Sequence, residues 1–144
     1  MAKSQVTKTK KKLLAGLNTI VGRENVYNTP TYLLLYTYDA SLERGQPDFV
    51  VFPDNTVQVS QIVQLAEKYH IPYLPRGAGT NLSGGAVPSR GGIVMALSRL
   101  NKILEIDVVN RRAVVQPGVV NLHLQNALAK MGFFYAPDPA SQKV

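Results

Sequence analysis

The clearest chemical signal in this chain lies in Leu74-Pro75-Arg76-Gly77-Ala78-Gly79-Thr80-Asn81-Leu82-Ser83-Gly84-Gly85. Glycine lets a backbone turn through positive φ and approach a ligand closely. Successive N–H groups in such turns converge on one concavity and bind anions, of which phosphate and pyrophosphate are the simplest. Spacing excludes two common phosphate loops. A Walker loop ends in Gly-Lys-Ser/Thr and opens a helix. Here Gly79 is followed by Thr80 and Asn81, and the loop holds no lysine. The Rossmann fingerprint needs a third glycine three residues after the second, at a helix start. That position is Leu82. The stretch is therefore a glycine loop of another kind, with an ordinary surface loop of turn residues as the plain alternative.

The elements on either side must position this loop. Asp48-Phe49-Val50-Val51-Phe52-Pro53 reads as a short buried strand ended by proline. Asn55, with Gln58 three residues on, has the spacing of a capping box. Val59, Ile62, Val63 and Ala66 then form the buried face of a helix, which must end before Pro72. His70 at that end reads as structural. Ile71 to Leu74 is a second strand, so the loop leaves the carboxyl end of a parallel crossover unit, where open α/β sheets place ligands. Val87-Pro88-Ser89-Arg90-Gly91-Gly92 continues the loop, and no helix is expected before the next strand, Ile93 to Leu97. Ile103 to Val108 and Arg112 to Gln116 read as a hairpin. Asn121 is expected to cap a further helix with Leu124, Ala127, Leu128 and Met131 on its buried face, ended by Gly132, and with His123 beside that face, exposed or on the rim.

The chain of 144 residues is one domain by size. It has no cysteine, which excludes disulfides, thiolate nucleophiles and iron–sulfur ligation within it. With only two histidines besides, the sequence argues against a zinc site. No apolar run approaches the ~20 residues of a membrane span. The formal charge of +7 is concentrated at the start, where Lys3, Lys8, Lys10, Lys11 and Lys12 precede the first acid, Glu24. This is a basic tail on a near-neutral domain, read as the solvated start of a helix from Lys10 to Val21. Its leucines, Leu13, Leu14 and Leu17, are expected to pack on a neighbouring domain or subunit. Aromatic residues do not interleave with the lysines, so nucleic acid is not the expected partner. The apolar run before Asn18 is too short for a secretory signal, while an organelle transit segment is left open by a basic, acid-free start.

Pro75-Arg76-Gly77-Ala78-Gly79-Thr80 followed by Ser83-Gly84-Gly85 resembles the phosphate loop of the FAD-linked oxidases, the vanillyl-alcohol-oxidase and p-cresol-methylhydroxylase type of flavin fold. The branch it is most similar to is that of the glycolate oxidase D subunit and D-lactate dehydrogenase, and the resemblance runs from about Pro47 to the end. It implies that Arg76, Gly77, Ala78, Gly79, Thr80 and Asn81 lie along the FAD pyrophosphate, with Gly84 and Gly85 closing the turn. Where the family loop commonly has glycine this chain has Asn81, the residue type that best tolerates the left-handed region, so the turn is expected to survive. A Pro-Asp-x-x-Ser segment lines the cofactor in the family, which carries over to Pro137, Asp138 and Ser141. Some members attach FAD through a loop histidine. Thr80 stands there, which implies non-covalent FAD.

The resemblance implies an α+β fold: the first half of a vanillyl-alcohol-oxidase type FAD-binding domain, a small mixed sheet of about four to five strands with helices packed on it. Residues 1–46 are expected to form a basic N-terminal helical segment outside that domain and 47–144 the partial domain. The implied activity is oxidation of a small 2-hydroxy acid, glycolate or D-lactate, with an external electron acceptor and other subunits of a glycolate oxidase-like complex as partners. The implied place is the cytoplasm or the periphery of a membrane. The catalytic base is expected in a substrate domain beyond Val144, so the sequence reads as a fragment or a truncated product. The alternative is a non-catalytic piece acting in assembly. Isolated, the chain is expected to bind FAD weakly and to aggregate, and in the intact protein Gly79→Val is expected to abolish FAD retention by filling the space the pyrophosphate needs. Tyr38-Asp39-Ala40-Ser41 also occurs in this branch. Its expected role is that of an aromatic segment packing beside the flavin domain.

Overall fold

The structure, a computed structural model, describes residues 2–137 and 139–144. It divides into two compact units, Met1–Leu97 and Ser98–Val144.

The first unit is built on a four-stranded sheet. Its strands are β1 (Val26–Tyr27), β2 (Phe49–Val51), β3 (Tyr73–Arg76) and β4 (Ile93–Ala96), in the order β1-β2-β4-β3. Strands β2 and β3 both run parallel to β4, and β1 is antiparallel to β2. Both faces of β2 and β4 are covered, which is why their sequences are continuous apolar runs rather than alternating ones. Because side chains alternate along a strand, Phe49, Val51, Ile93 and Met95 face one way and Val50, Val94 and Ala96 the other.

Helices α1 (Ala2–Val21) and α3 (Thr56–Lys68) supply the first of these cores. Leu13, Leu17 and Val21 recur at intervals of four, so they form one stripe. Leu17 is fully buried. The leucines expected to seek a neighbouring domain therefore pack in this chain's own core, and the basic segment is not outside the fold. A stripe of leucines specifies burial without specifying the partner. Gly16 admits the Leu65 side chain of α3, whose Cδ2 would lie 2.8 Å from an added Cβ. Lys10 Nζ is 2.5 Å from Asp48 Oδ1, which ties α1 to the start of β2.

Helix α3 has the expected start. Asn55 Oδ1 accepts from the Gln58 N–H at 2.9 Å, and Gln58 Oε1 accepts from the Asp54 N–H at 2.7 Å. It ends in a Schellman arrangement, with the Ile71 N–H donating to Ala66 O and the His70 N–H to Glu67 O. His70 takes the left-handed position at φ 53°. Strand β3 starts two residues later than expected and includes Pro75 and Arg76. Proline is tolerated there because β3 is an edge strand. The opposite face of the sheet is covered by Leu33, which lies in α2 (Pro30–Leu34), together with Tyr27, Tyr36, Phe52 and Leu74. Leu33 and Tyr36 thus pack on this sheet, whereas Tyr38, the aromatic residue of the Tyr38-Asp39-Ala40-Ser41 run, is 43% exposed.

In the second unit β5 (Ile103–Asp107) and β6 (Arg112–Val115) form the expected antiparallel hairpin, but as a separate two-stranded sheet. The four-stranded sheet is instead completed by β1, whose two residues carry too little pattern to be read. Helix α4 (Asn121–Ala129) follows. Val120, not Asn121, is its N-cap residue, and no side chain caps it. Asn121 Nδ2 instead donates to Pro137 O at 3.3 Å. Met131 falls beyond the helix and is 50% exposed, so it is not part of the buried face. His123 is exposed, as expected. Among the described residues, no helix is long and apolar enough to cross a membrane.

Candidate functional site

The glycine loop leaves the carboxyl end of β3 and reaches β4 without an intervening helix. Residues from Pro75 to Ala86, Leu82 and Gly84 excepted, line an open concavity of about 440 Å³. No described group of the protein accepts a hydrogen bond from the backbone N–H groups of Gly77 to Gly85. A run of unengaged donors around one hollow is an anion-binding arrangement. A cleft of about 550 Å³ between α1 and Gln46–Phe49 is wider. Its Lys10 is already paired with Asp48, so the glycine loop is the better candidate.

Positive φ occurs at Gly79 (75°) and Gly84 (70°). A Cβ at Gly79 would strike the Arg76 guanidinium, whereas one at Gly77 would meet nothing within 4 Å. Asn81 does not take the left-handed conformation expected of it. Among the described non-glycine residues only His70 and Arg111 do. The side chain of Asn81 matters instead: its Nδ2 donates to Asp39 Oδ2 at 2.6 Å.

Arg76 does not offer its guanidinium to the hollow. It is 6% exposed, and Nη1 donates to Tyr38 O at 2.7 Å and to Ala86 O at 2.9 Å. The guanidinium carbon lies 5.3 Å from the centre of the Tyr36 ring, in cation–π range. Asp39, 5% exposed, closes the other side. Besides Asn81 it accepts from the Ser41 N–H at 2.8 Å and the Ala86 N–H at 3.4 Å. Hydrogen bonding, first from the Ser41 side chain and then from the Ser41 and Ala86 backbone and Asn81, holds its carboxyl down at about 2. Burial pushes the Tyr36 phenol up, with Arg76 pulling it partly back. Sequence reasoning singled out Tyr38-Asp39-Ala40-Ser41 without finding this role. Asp39 and Asn81 are 42 residues apart, beyond any local spacing rule.

The loop thus brings Arg76, Gly77, Ala78, Gly79, Thr80, Asn81, Gly84 and Gly85 together. Pro137 and Ser141 belong to the second unit. There the exit segment is pinned to α4: Gln125 Nε2 donates to Tyr135 O at 2.6 Å, and the Tyr135 N–H donates to Gln125 Oε1 at 2.9 Å. Ser141 O accepts from the Val144 N–H at 3.1 Å. Asp138 lies outside the described residues. Among the described residues no group of histidine and carboxylate side chains could hold a metal ion.

Residues 47–144 match a protein family described as an FAD binding domain. The chain is 42% identical over 126 residues to the glycolate oxidase subunit GlcD of Bacillus subtilis, covering 87% of this chain and 27% of that one. It is 36% identical over 109 residues to a D-lactate dehydrogenase of Anaerostipes hadrus, covering 74% of this chain and 23% of that one. Among solved structures, alkyldihydroxyacetonephosphate synthase superposes with a TM-score of 0.81 at 25% identity, over 92% of this chain and 27% of that one. p-Cresol methylhydroxylase superposes with a TM-score of 0.78 at 24% identity, over 87% of this chain and 25% of that one, a likeness of fold. The chain spans about a quarter of the length of the relatives it matches.

Proposed function

Because the chain belongs to the FAD-binding domain family, we propose that it supplies the pyrophosphate-holding part of a flavoenzyme that oxidises a small 2-hydroxy acid, glycolate or D-lactate. The observation that carries this reading is the row of unengaged N–H groups from Gly77 to Gly85 around the concavity after β3. Such donors suit a diphosphate, and the buried carboxylate that touches the loop, Asp39, is already occupied by internal donors.

In this reading Gly77, Ala78, Gly79, Thr80 and Asn81 offer backbone N–H groups to the pyrophosphate, Gly84 and Gly85 close the turn, and Arg76 serves from behind. Pro137, Asp138 and Ser141 are further cofactor-lining residues in this reading, Asp138 lying outside the described residues. FAD, when bound, takes up the two electrons of alcohol oxidation and yields them to an external acceptor. The chain's own contribution is binding and orientation. In this reading the cofactor-binding part comprises 47–144, and 1–46 precedes it with α1 and β1 packed on its sheet. The relatives named as subunits support partner subunits in a complex, and the cytoplasm or a membrane periphery is the proposed place. The hydroxyl of Thr80 stands where attached members of the fold carry histidine, so FAD is held non-covalently. Acid denaturation of the intact protein should release all its flavin; colour retained on the polypeptide refutes non-covalent binding.

The pyrophosphate assignment is tested with Gly77→Glu in the intact protein. A side chain there meets open space, so the fold should persist, while a carboxylate among the donors repels a diphosphate. Flavin absorbance per protein after gel filtration should fall at least tenfold, with an unchanged apo-protein melting temperature. A full complement of FAD in this variant overturns the assignment. Reduction of an artificial acceptor with glycolate or D-lactate then tests the substrate class.

A further inference from the structure

We propose that Asp39 is a positioning residue for the glycine loop: its buried carboxylate fixes the far half of the loop, through Asn81 and Ala86, in the shape that receives a diphosphate. The inference rests on the reading of the loop as the pyrophosphate cradle, and it assigns a role to a residue outside the loop that would not touch the cofactor.

Three observations support it. First, the loop is anchored from both ends to one dipeptide. Its start, Arg76, donates to Tyr38 O, and its end, Ala86, donates to Asp39 Oδ2 and accepts from Arg76. Second, the only described side chain between these ends with a hydrogen-bond partner in the protein is Asn81, and that partner is Asp39. Third, Asp39 is itself locked from the opposite side by the Ser41 N–H, and Ser41 Oγ in turn accepts from the Glu43 N–H at 3.1 Å. A loop whose N–H groups are unengaged has no internal ladder to hold it, so its shape must come from such outside ties. Pre-setting those donors removes the ordering cost from cofactor binding. The alternative for Asp39, a carboxylate facing the hollow, would oppose a diphosphate; here its lone pairs are taken up by protein donors.

The test uses the apo form of the intact protein and titrates FAD by quenching of flavin fluorescence. Hydrogen exchange of the loop amides is followed in parallel. Asp39→Ala and Asn81→Ala should each weaken FAD at least tenfold, about 1.4 kcal/mol, and speed exchange at residues 77–85 while Val50 and Val94 stay protected. The double variant should bind no more weakly than Asp39→Ala alone, because both changes remove one shared hydrogen bond. Additive losses, or wild-type affinity in both single variants, overturn the positioning role. If Asp39→Ala does not fold, the exposed Asn81→Ala carries the test alone, and wild-type affinity in it overturns the proposal. Gly77→Glu separates the two layers of inference. If it binds FAD like wild type, the cradle reading fails and the proposal falls with it. If it blocks FAD while the Asp39 and Asn81 variants bind normally, the positioning role alone fails.

Discussion

Gly79 turns the side on which a Cβ would sit toward the guanidinium of Arg76. The expected effect of Gly79→Val on FAD retention therefore has a different cause from the one the sequence suggests. The added carbon displaces a buried arginine rather than filling the hollow.

Even Gly79→Ala should destabilise the apo protein. The left-handed backbone costs about 1–2 kcal/mol for a residue with a Cβ, and the displaced Arg76 adds to it. Thermal melting of the apo form checks this. A variant that loses FAD with an unchanged apo melt would instead place the added methyl in the cofactor space.

Arg76→Met should leave the Tyr38 and Ala86 carbonyls without their donor and lower stability by ~2 kcal/mol or more in urea unfolding. It should also move Tyr36. Burial raises that phenol and the Arg76 charge lowers it. Removing the charge should push the ionisation further up, which ultraviolet titration of tyrosinate reads directly. A downward shift would contradict the placement of the guanidinium beside the ring.

Asp39 should make stability depend on pH only in acid. Its ordinary value is 3.8 and its folded value about 2. A depressed folded pKa contributes stability that is present above the unfolded value and lost as pH falls through the folded one. The stability difference between wild type and Asp39→Asn should therefore be flat above about pH 4 and shrink as the pH approaches 2. A gap that closes near neutrality would show that another group is titrating.

Leu17→Ala should destabilise the first unit by about 2–5 kcal/mol, the cost of a cavity in a packed core. Lys11→Ala, on the exposed side of the same helix, should stay within ~0.5 kcal/mol and keep FAD retention unchanged. Denaturant midpoints distinguish the two. Equal effects would contradict the burial of the leucine stripe.

Local rules were the legible part of this fold. The Asn55 cap, the α3 stripe, the hairpin turn and the glycine loop are all written within a dozen residues of themselves. What escaped was long-range. Leu13 and Leu17 declare that they are buried, yet nothing near them names Phe49, Ile93 and Met95 as their companions in the core. Asp39 and Asn81 meet only because β2, α3 and β3 intervene and return the chain. Asn121 has the residue type of a cap, but the helix starts one residue earlier, so Val120 takes the cap position and Asn121 Nδ2 donates to the Pro137 carbonyl. Arg76 opens the glycine loop, and nothing near it in sequence names Tyr36 and Tyr38 as neighbours of its buried side chain.

The seating of α1 against β2 and β4 imposes an order on biosynthesis. Leu13 and Leu17 leave the ribosome first, but Ile93 and Met95, in the same cluster, follow roughly 80 residues later. At ~5–20 residues per second that is a wait of roughly 4–16 s. During it the helix must hold an apolar stripe in water, beside Lys8, Lys10, Lys11 and Lys12, whose charge favours solubility.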